Sequence, residues 1–444
     1  MNQINRRQIL TGAGVAAASM AGGLALAQRD AAAPAGAAVN PVVVIGGGMA
    51  GATVAKYIRL WSGKTIPVTL IEANVDYTSN IMSNLVLNGQ KTLASLHYPY
   101  TTLKSTTYGV NVIQGSVTGV NPAALTVTYK TPAGVSTTIP YSRVVMAPGI
   151  DYLPYTLTGT SANKAKVVSA WQAGAETQSL RDQLVAMPTD GTFILTIPAK
   201  PYRCPPGPYE RACIVADWIK INKRSLANTN AQVIVLDANP SIQAEPTNFS
   251  TAFNNIHAGV VKYVPNATLI SVDADTGTVV TAAGTFTGNV INVIPNHTAK
   301  QIARDVGLAT APTPAGGMFC PVDVLSYESK VIPGIHVIGD ASATTQPKAG
   351  HIANQEAKVC ADAIVRLMAS PVLPLDTAPI TNSACYSPIT STTASWLSVV
   401  FHYDPTTKTM VAASGQPVEA PSISTGNYSQ MNTWFSVLMT DTFK

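Results

Sequence analysis

The stretch from Val42 to Glu72 limits what this chain can fold into more than any other. Val42 to Ile45 is a continuous apolar run, Gly46-Gly47-Gly48-Met49-Ala50-Gly51 follows, Ala52 to Leu60 has helical character, and Val68 to Ile71 is a second apolar run closed by Glu72. Strand, glycine turn, helix, strand and acid, in that order, make the opening βαβ unit of a dinucleotide-binding domain. Each residue type has a physical task there. Gly46 allows the tight turn, Gly48 lets the backbone approach a pyrophosphate, Gly51 lets the helix close on the strand, and Glu72 reaches ribose hydroxyls. A glycine-rich turn by itself marks only a bend in a parallel sheet; the strand before it and the acid after it make it a nucleotide site.

A second βαβ pattern lies downstream. Phe193 to Ile197 and Val233 to Asp237 read as strands and Ala212 to Lys223 as the helix between them. Where a two-dinucleotide enzyme would carry a second glycine loop, this chain has Pro198-Ala199-Lys200-Pro201-Tyr202-Arg203-Cys204-Pro205-Pro206-Gly207-Pro208-Tyr209-Glu210-Arg211. Prolines lack the N–H groups that cradle a pyrophosphate, and one glycine cannot replace them. The second domain is therefore expected not to bind NAD(P)H, and electrons must enter from something that reacts with Cys204.

At 444 residues the chain has room for two or three cores. It opens with Arg6-Arg7 and an Ala/Gly-rich apolar run from Leu10 to Ala27 that ends in Ala25-Leu26-Ala27, the pattern of a twin-arginine export signal with a small-x-small cleavage site. Asn5 departs from the serine usual in that motif. An ordinary secretory signal or an uncleaved anchor is the competing reading; twin-arginine export of a folded, cofactor-loaded protein to the periplasm is the expectation. Cleavage leaves 26 basic against 23 acidic residues, which is no nucleic-acid footprint. No later apolar run reaches the roughly 18 residues needed to span a bilayer. Five cysteines in an oxidising compartment leave at least one thiol unpaired unless chains are cross-linked. There is no Cys-x-x-Cys or Cys-x-x-Cys-His, and the six histidines lack ligand spacing, so neither a haem nor a metal site is read.

The fold class expected is α/β, with two Rossmann-like dinucleotide-binding-type domains arranged as in glutathione reductase, the first of them split, and a C-terminal α+β region. The boundaries are 1–27 for the signal, 28–40 for a flexible lead, 41–154 and 295–371 for the first domain, 155–294 for the second, and 372–444 for the C-terminal region. Gly334 to Ala341 reads as a buried strand ending in Gly339-Asp340, and it resembles the place where FAD-binding two-domain reductases set an aspartate on the ribityl chain. Ala147-Pro148-Gly149 resembles the crossover into the second domain, although its local sequence would equally suit a plain Pro-Gly turn.

Taken together, Val44-Ile45-Gly46-Gly47-Gly48, Ala147-Pro148-Gly149-Ile150, Arg203 to Arg211, Cys320-Pro321-Val322-Asp323, Gly334 to Ala341, Cys385-Tyr386-Ser387 and Asp441-Thr442-Phe443 resemble the flavoprotein subunit of flavocytochrome c sulfide dehydrogenase. The resemblance implies FAD as cofactor, sulfide as substrate and a separate c-type cytochrome subunit as electron acceptor. It implies that Cys204 and Cys385 form a redox-active disulfide beside the flavin, that Glu210 manages the sulfide proton, and that Trp434 covers the flavin. The bland readings are a buried structural thiol for either cysteine, a first-turn helix acid for Glu210, and core packing for Trp434. Pro208 as the first residue of a helix would place Cys204 near a dipole that favours a thiolate. Asn80 stands where some family members carry a flavin-linked cysteine, so the FAD is expected to be held non-covalently. A sulfide:quinone oxidoreductase docked on a membrane is the nearest alternative; it needs an amphipathic C-terminal helix with basic flanks, whereas Trp434 to Met439 is short and lies beside Asp441. A non-catalytic FAD-bearing assembly protein is the reading from a different class.

Overall fold

The computed structural model describes residues 40–444; the expected signal, 1–27, and all but the last residue of the expected lead lie outside them. Strand β1 (Val42–Ile45) is buried along its whole length, and it is followed by helix α1 (Met49–Trp61) and strand β2 (Val68–Glu72). Continuous apolar strands of this kind belong to a parallel sheet covered on both faces. Accordingly β1 pairs in parallel with β2 on one side and with β4 (Arg143–Met146) on the other, and β3 (Asn111–Gln114) extends the sheet beyond β2.

The chain then builds a second parallel sheet. It consists of β5 (Thr192–Ile197), β6 (Gln232–Asp237), β7 (Val261–Val264) and β8 (Val290–Val293), in the order β7-β6-β5-β8. Helix α2 (Gly207–Asn222) is the crossover from β5 to β6. Strand β9 (Ile335–Val337) returns to the first sheet beside β4, completing the order β3-β2-β1-β4-β9. Both sheets thus set their first strand between the second and the fourth, as a doubly wound α/β sheet does. Such sheets bind ligands beyond the carboxyl ends of their strands, at the point where strand order reverses.

Helix α3 (Gly350–Leu367) packs on α1. The C-terminal region is a four-stranded antiparallel sheet built on a long pair, β10 (Ile380–Pro388) and β11 (Ala394–Asp404), and closed by helix α4 (Thr425–Phe443). The last residues tie α4 to the first domain. Tyr57 donates to Asp441 Oδ1 (2.5 Å), Lys358 pairs with Asp441 Oδ2 (2.9 Å), and the Phe443 ring stacks on Tyr77 with centroids 4.9 Å apart.

Two expected bounds shift. Helix α2 begins at Gly207 rather than Ala212, with Pro208 second in it and not first. Pro206 already has helical dihedrals (φ −76°, ψ −23°), and Gly207 N–H donates to the Cys204 carbonyl (2.9 Å), so the proline-rich string itself starts the helix. Trp434 to Met439 is part of a 19-residue helix whose N-cap, Ser424, accepts from Asn427 N–H (3.1 Å). Among the described residues no helix is long and apolar enough to cross a membrane.

Candidate active site

The glycine loop closes by steric necessity. Gly46 has φ +97°, and a Cβ there would lie 2.4 Å from the Ala147 carbonyl oxygen; one on Gly51 would lie 1.7 Å from the Gly46 carbonyl oxygen. A Cβ on Gly48, by contrast, would meet nothing nearer than 3.8 Å, so this backbone faces open space. Glu72 Oε2 accepts from Gly47 N–H (2.6 Å) and Oε1 from Asn74 N–H (2.9 Å), which fixes the carboxylate at the loop. Tyr100 donates to the Gly47 carbonyl (2.9 Å) from below.

The loop opens on a cleft of about 600 Å³ that runs between the two sheets and under α4. Gly46, Gly48, Glu72, Asn80, Pro148, Gly149, Cys204, Glu210, Asp340, Cys385 and Trp434 all line it. Of the residues singled out in the sequence, only Gly51 does not, because it lies beneath the loop against Gly46. Asp340 faces Arg203, with Nη1 3.9 Å from Oδ2, and the other terminal nitrogen of Arg203 is buried with no partner. The Trp434 indole N–H is likewise buried and unpartnered. Buried donors are nearly always satisfied in folded proteins. Donors left open around a long cleft, beside a carboxylate and a glycine loop free of side chains, fit a dinucleotide with a polyhydroxyl chain. Asn80 is engaged instead with the second domain, its side-chain oxygen accepting from Ala173 N–H.

Cys204 comes from the loop before α2 and Cys385 from β10; both are free thiols. Cys204 has φ +58°, its N–H donates to the Lys348 carbonyl (2.7 Å), and its sulfur covers the first turn of α2, where a Cβ on Gly207 would approach it to 2.8 Å. Burial pushes the Cys204 thiol up to about 12, Glu210 adds to the rise, and Arg203 and the Gly207 N–H oppose it. Burial also pushes Cys385 well up, followed by the charges of Cys204, Glu245 and Glu210, with only Ser383 opposing. The expected thiolate-favouring effect of the helix end is therefore outweighed by desolvation. The two thiols interact as like charges, so they lose protons one at a time.

Glu210, in the first turn of α2, is buried, and desolvation raises its carboxyl to about 8. Asn84 holds it: its amide nitrogen donates to Glu210 Oε1 (2.8 Å) and to the Gly207 carbonyl (3.1 Å), while its oxygen accepts from Arg211 Nε (2.9 Å). Arg211 spends its other donors on Ser169, Ala170 and Asn292. A carboxyl kept near neutral pH beside a cysteine pair can take up and release a proton during turnover. Cys213, Cys320 and Cys360 are buried elsewhere in the cores.

The corresponding acid of the second domain is engaged within its own domain. The acid at the end of β6, Asp237, accepts from Tyr209 (2.7 Å) and Tyr263 (2.8 Å) at Oδ2 and from Asn239 N–H (2.9 Å) at Oδ1. Arg203, Asn84, Lys348 and Asp237 were not singled out in the sequence. Arg203 lies in the proline-rich string, but only tertiary packing assigns its partners and those of Asn84. Lys348 Nζ donates to the carbonyls of Asp340 (2.9 Å) and Ser342 (2.7 Å) and so holds the Gly339-Asp340 turn.

Comparison with known proteins agrees with this geometry. Residues 177–295 match the family model described as the central part of the sulfide dehydrogenase (flavocytochrome c) flavoprotein chain, and residues 40–186 match that of pyridine nucleotide-disulphide oxidoreductases. Among solved structures, the chain is similar to the sulfide:quinone oxidoreductase of Aquifex aeolicus, with TM-score 0.68 and 15% identity over 91% of this chain and 92% of that one. It is also similar to an NAD-dependent persulfide reductase from A. fulgidus (TM-score 0.57, 16% identity, 90% and 76% covered) and to a water-forming NADH oxidase from Lactobacillus brevis (TM-score 0.58, 17% identity, 90% and 91% covered). At such identities these structures speak for the fold alone. The cofactor of the cleft is FAD. Residues 40–295 thus resemble, in turn, the pyridine nucleotide-disulphide oxidoreductases and, among them, the flavoprotein chain of flavocytochrome c sulfide dehydrogenase.

Proposed function

We propose that this protein oxidises hydrosulfide at a disulfide between Cys204 and Cys385 and delivers the electrons to a c-type cytochrome in the periplasm. The observation that carries the reading is the meeting, in one cleft, of a cysteine from the inserted domain, a cysteine from the C-terminal hairpin and the glycine loop of the first domain. Gly46, Gly48, Glu72, Pro148, Gly149 and Asp340 would hold the FAD, with Trp434 covering it. Asn80, already engaged with Ala173, offers no sulfur for a covalent link, which supports non-covalent binding. Bound FAD supplies a two-electron acceptor that can pass electrons on singly.

The sulfur of hydrosulfide attacks Cys385 Sγ. A new S–S bond forms there, the Cys204–Cys385 bond breaks, and Cys204 leaves as the thiolate. Cys204 is the better leaving group because Arg203 and the Gly207 N–H stabilise its anion, whereas Cys385 has only Ser383. The proton of hydrosulfide passes to Glu210.

The cytochrome acceptor is supported by the matched family's own description, and export by Arg6-Arg7 and Ala25-Leu26-Ala27. Helix α4 carries no lysine or arginine and has a single one, Lys444, at its C-cap, so it lacks the basic cluster that docking on an anionic membrane surface uses. Sulfide-driven turnover of the FAD-loaded protein with a periplasmic c-type cytochrome, and separately with a soluble quinone, tests the acceptor. Rapid reduction of the cytochrome is expected; turnover with the quinone alone contradicts it.

A further inference from the structure

Deep between α2 and β10 lies a carboxyl that the scheme above does not use. Glu245 is fully buried and adopts a left-handed backbone (φ +48°) that a non-glycine residue rarely takes. Its Oε1 accepts from the Ser387 hydroxyl (2.6 Å), and the buried Ser395 hydroxyl stands beside the carboxyl as a second neutral partner. Among the described residues no lysine or arginine pairs with it. An isolated acid in such a place costs stability, and acids of this kind concentrate at working sites. Ser387 stands two residues from Cys385 on the same strand, so both side chains leave the same face of β10. The hydrogen bond to Ser387 therefore places the Glu245 carboxyl on the face of the strand from which the reacting cysteine projects.

We propose that Glu245 is the second carboxyl of a proton path, taking the proton from Glu210 and releasing it to solvent beside Glu419. The inference rests on the sulfide reading given above. Each hydrosulfide brings one proton into a buried cleft, and no electron moves as that proton passes from carboxyl to carboxyl. The groups facing Glu245 are Glu210 and Cys213 on α2, Cys385 on β10, and Glu419, whose carboxylate accepts from Thr247 N–H (3.2 Å) and Asn248 N–H (3.2 Å) at the outer edge. Asp217 in turn faces Cys213. None of them is a cation, so the path is an acidic one throughout. Desolvation raises both carboxyls, Glu245 to about 7 and Glu210 to about 8, so each can take up or release a proton in the neutral range. A site whose first carboxyl rests protonated needs such an acceptor before it can take another proton.

The test compares wild type with Glu245→Gln and the conservative Glu245→Asp, by two readouts. The first is the pH dependence of iodoacetamide labelling at Cys385 in the reduced protein, read by peptide mass spectrometry with an added cysteine-containing peptide as an internal standard. Removing the Glu245 charge should move the Cys385 curve to lower pH by about one unit and leave that of the standard in place. The second is flavin bleaching by sulfide, which should slow by about tenfold near pH 7 in Glu245→Gln and recover in Glu245→Asp. Superimposed labelling curves, or bleaching in Glu245→Gln within twofold of wild type, overturn the path. Should Glu245→Gln not fold, Ser387→Ala takes its place, and unchanged bleaching and labelling there overturn it equally. A wild-type protein that sulfide never bleaches would instead sink the sulfide reading; labelling would then still decide whether the charge of Glu245 reaches Cys385.

Discussion

Glu210 shows how the site works at the scale of single residues. Arg211 follows it directly in sequence, yet that guanidinium turns away to Asn84, Ser169, Ala170 and Asn292, so Glu210 keeps a neutral partner, Asn84, and a carboxyl at about 8. An acid raised in this way is protonated below that pH and becomes a base as pH climbs through it. Sulfide-driven flavin reduction should therefore rise towards pH 8 in wild type. In Glu210→Gln it should fall by about 10²-fold, and the ratio of variant to wild-type rates should decline as pH climbs towards 8. Using the ratio cancels the ionisation of sulfide itself, and a ratio flat and near one across pH would remove Glu210 from the chemistry. Cys204 was legible in the sequence because it interrupts a nucleotide loop, and Glu210 because it sits in the same string. Asn84, Arg203 and Glu245 were not, since their roles lie in contacts that span more than a hundred residues or join separate regions.

At the scale of elements, the glycine loop separates steric from binding roles. Gly51 is pressed against the Gly46 carbonyl by the approach of α1 to β1, so a methyl group there forces the helix off the sheet at a cost of typically 1–3 kcal/mol or more. Gly48 faces open space, and a methyl group there would obstruct only what enters the cleft. Gly48→Ala should purify folded, with a melting temperature close to that of FAD-free wild type but depleted of flavin; Gly51→Ala should lose both flavin and stability. The flavin-to-protein absorbance ratio and a melting curve read this out, and a full complement of flavin in Gly48→Ala would contradict it. Flavin from wild type should stay in the supernatant after acid precipitation. Sequence periodicity located β1, α1, β2, β5 and β6, whose apolar runs are unbroken. It placed the start of α2 late, because prolines read as loop although Pro206 and Pro208 suit a helix start. Helix α4 escaped for another reason: its Thr, Ser and Asn content gives weak intrinsic preference, and its ends are fixed by the Ser424 cap and by Asp441 and Phe443 docking on the first domain.

Across the whole molecule, one fold is used twice with opposite results. The first sheet presents an open glycine loop, a carboxylate on that loop and unpartnered donors; the second presents Cys204 where the loop would be and an Asp237 already saturated by Tyr209, Tyr263 and Asn239. The repetition of βαβ units was legible, and so was the missing loop, but the closing of Asp237 by two tyrosines became visible only in three dimensions. Anaerobic NADH or NADPH should accordingly leave the flavin oxidised, and fast bleaching by sub-millimolar nicotinamide would show that the second domain binds it after all. The C-terminal hairpin and α4 complete the cleft by bringing Cys385 and Trp434 over the domain boundary, which makes the cysteine pair a product of the assembled molecule. Anaerobic sulfide titration of wild type, Cys204→Ser and Cys385→Ser, each loaded with FAD and followed by flavin absorbance, tests this directly. Wild type should bleach, while both variants should keep FAD, stay oxidised with sulfide and bleach with dithionite. Near-wild-type bleaching by sulfide in either variant would contradict the disulfide mechanism and leave direct attack on the flavin as the better account.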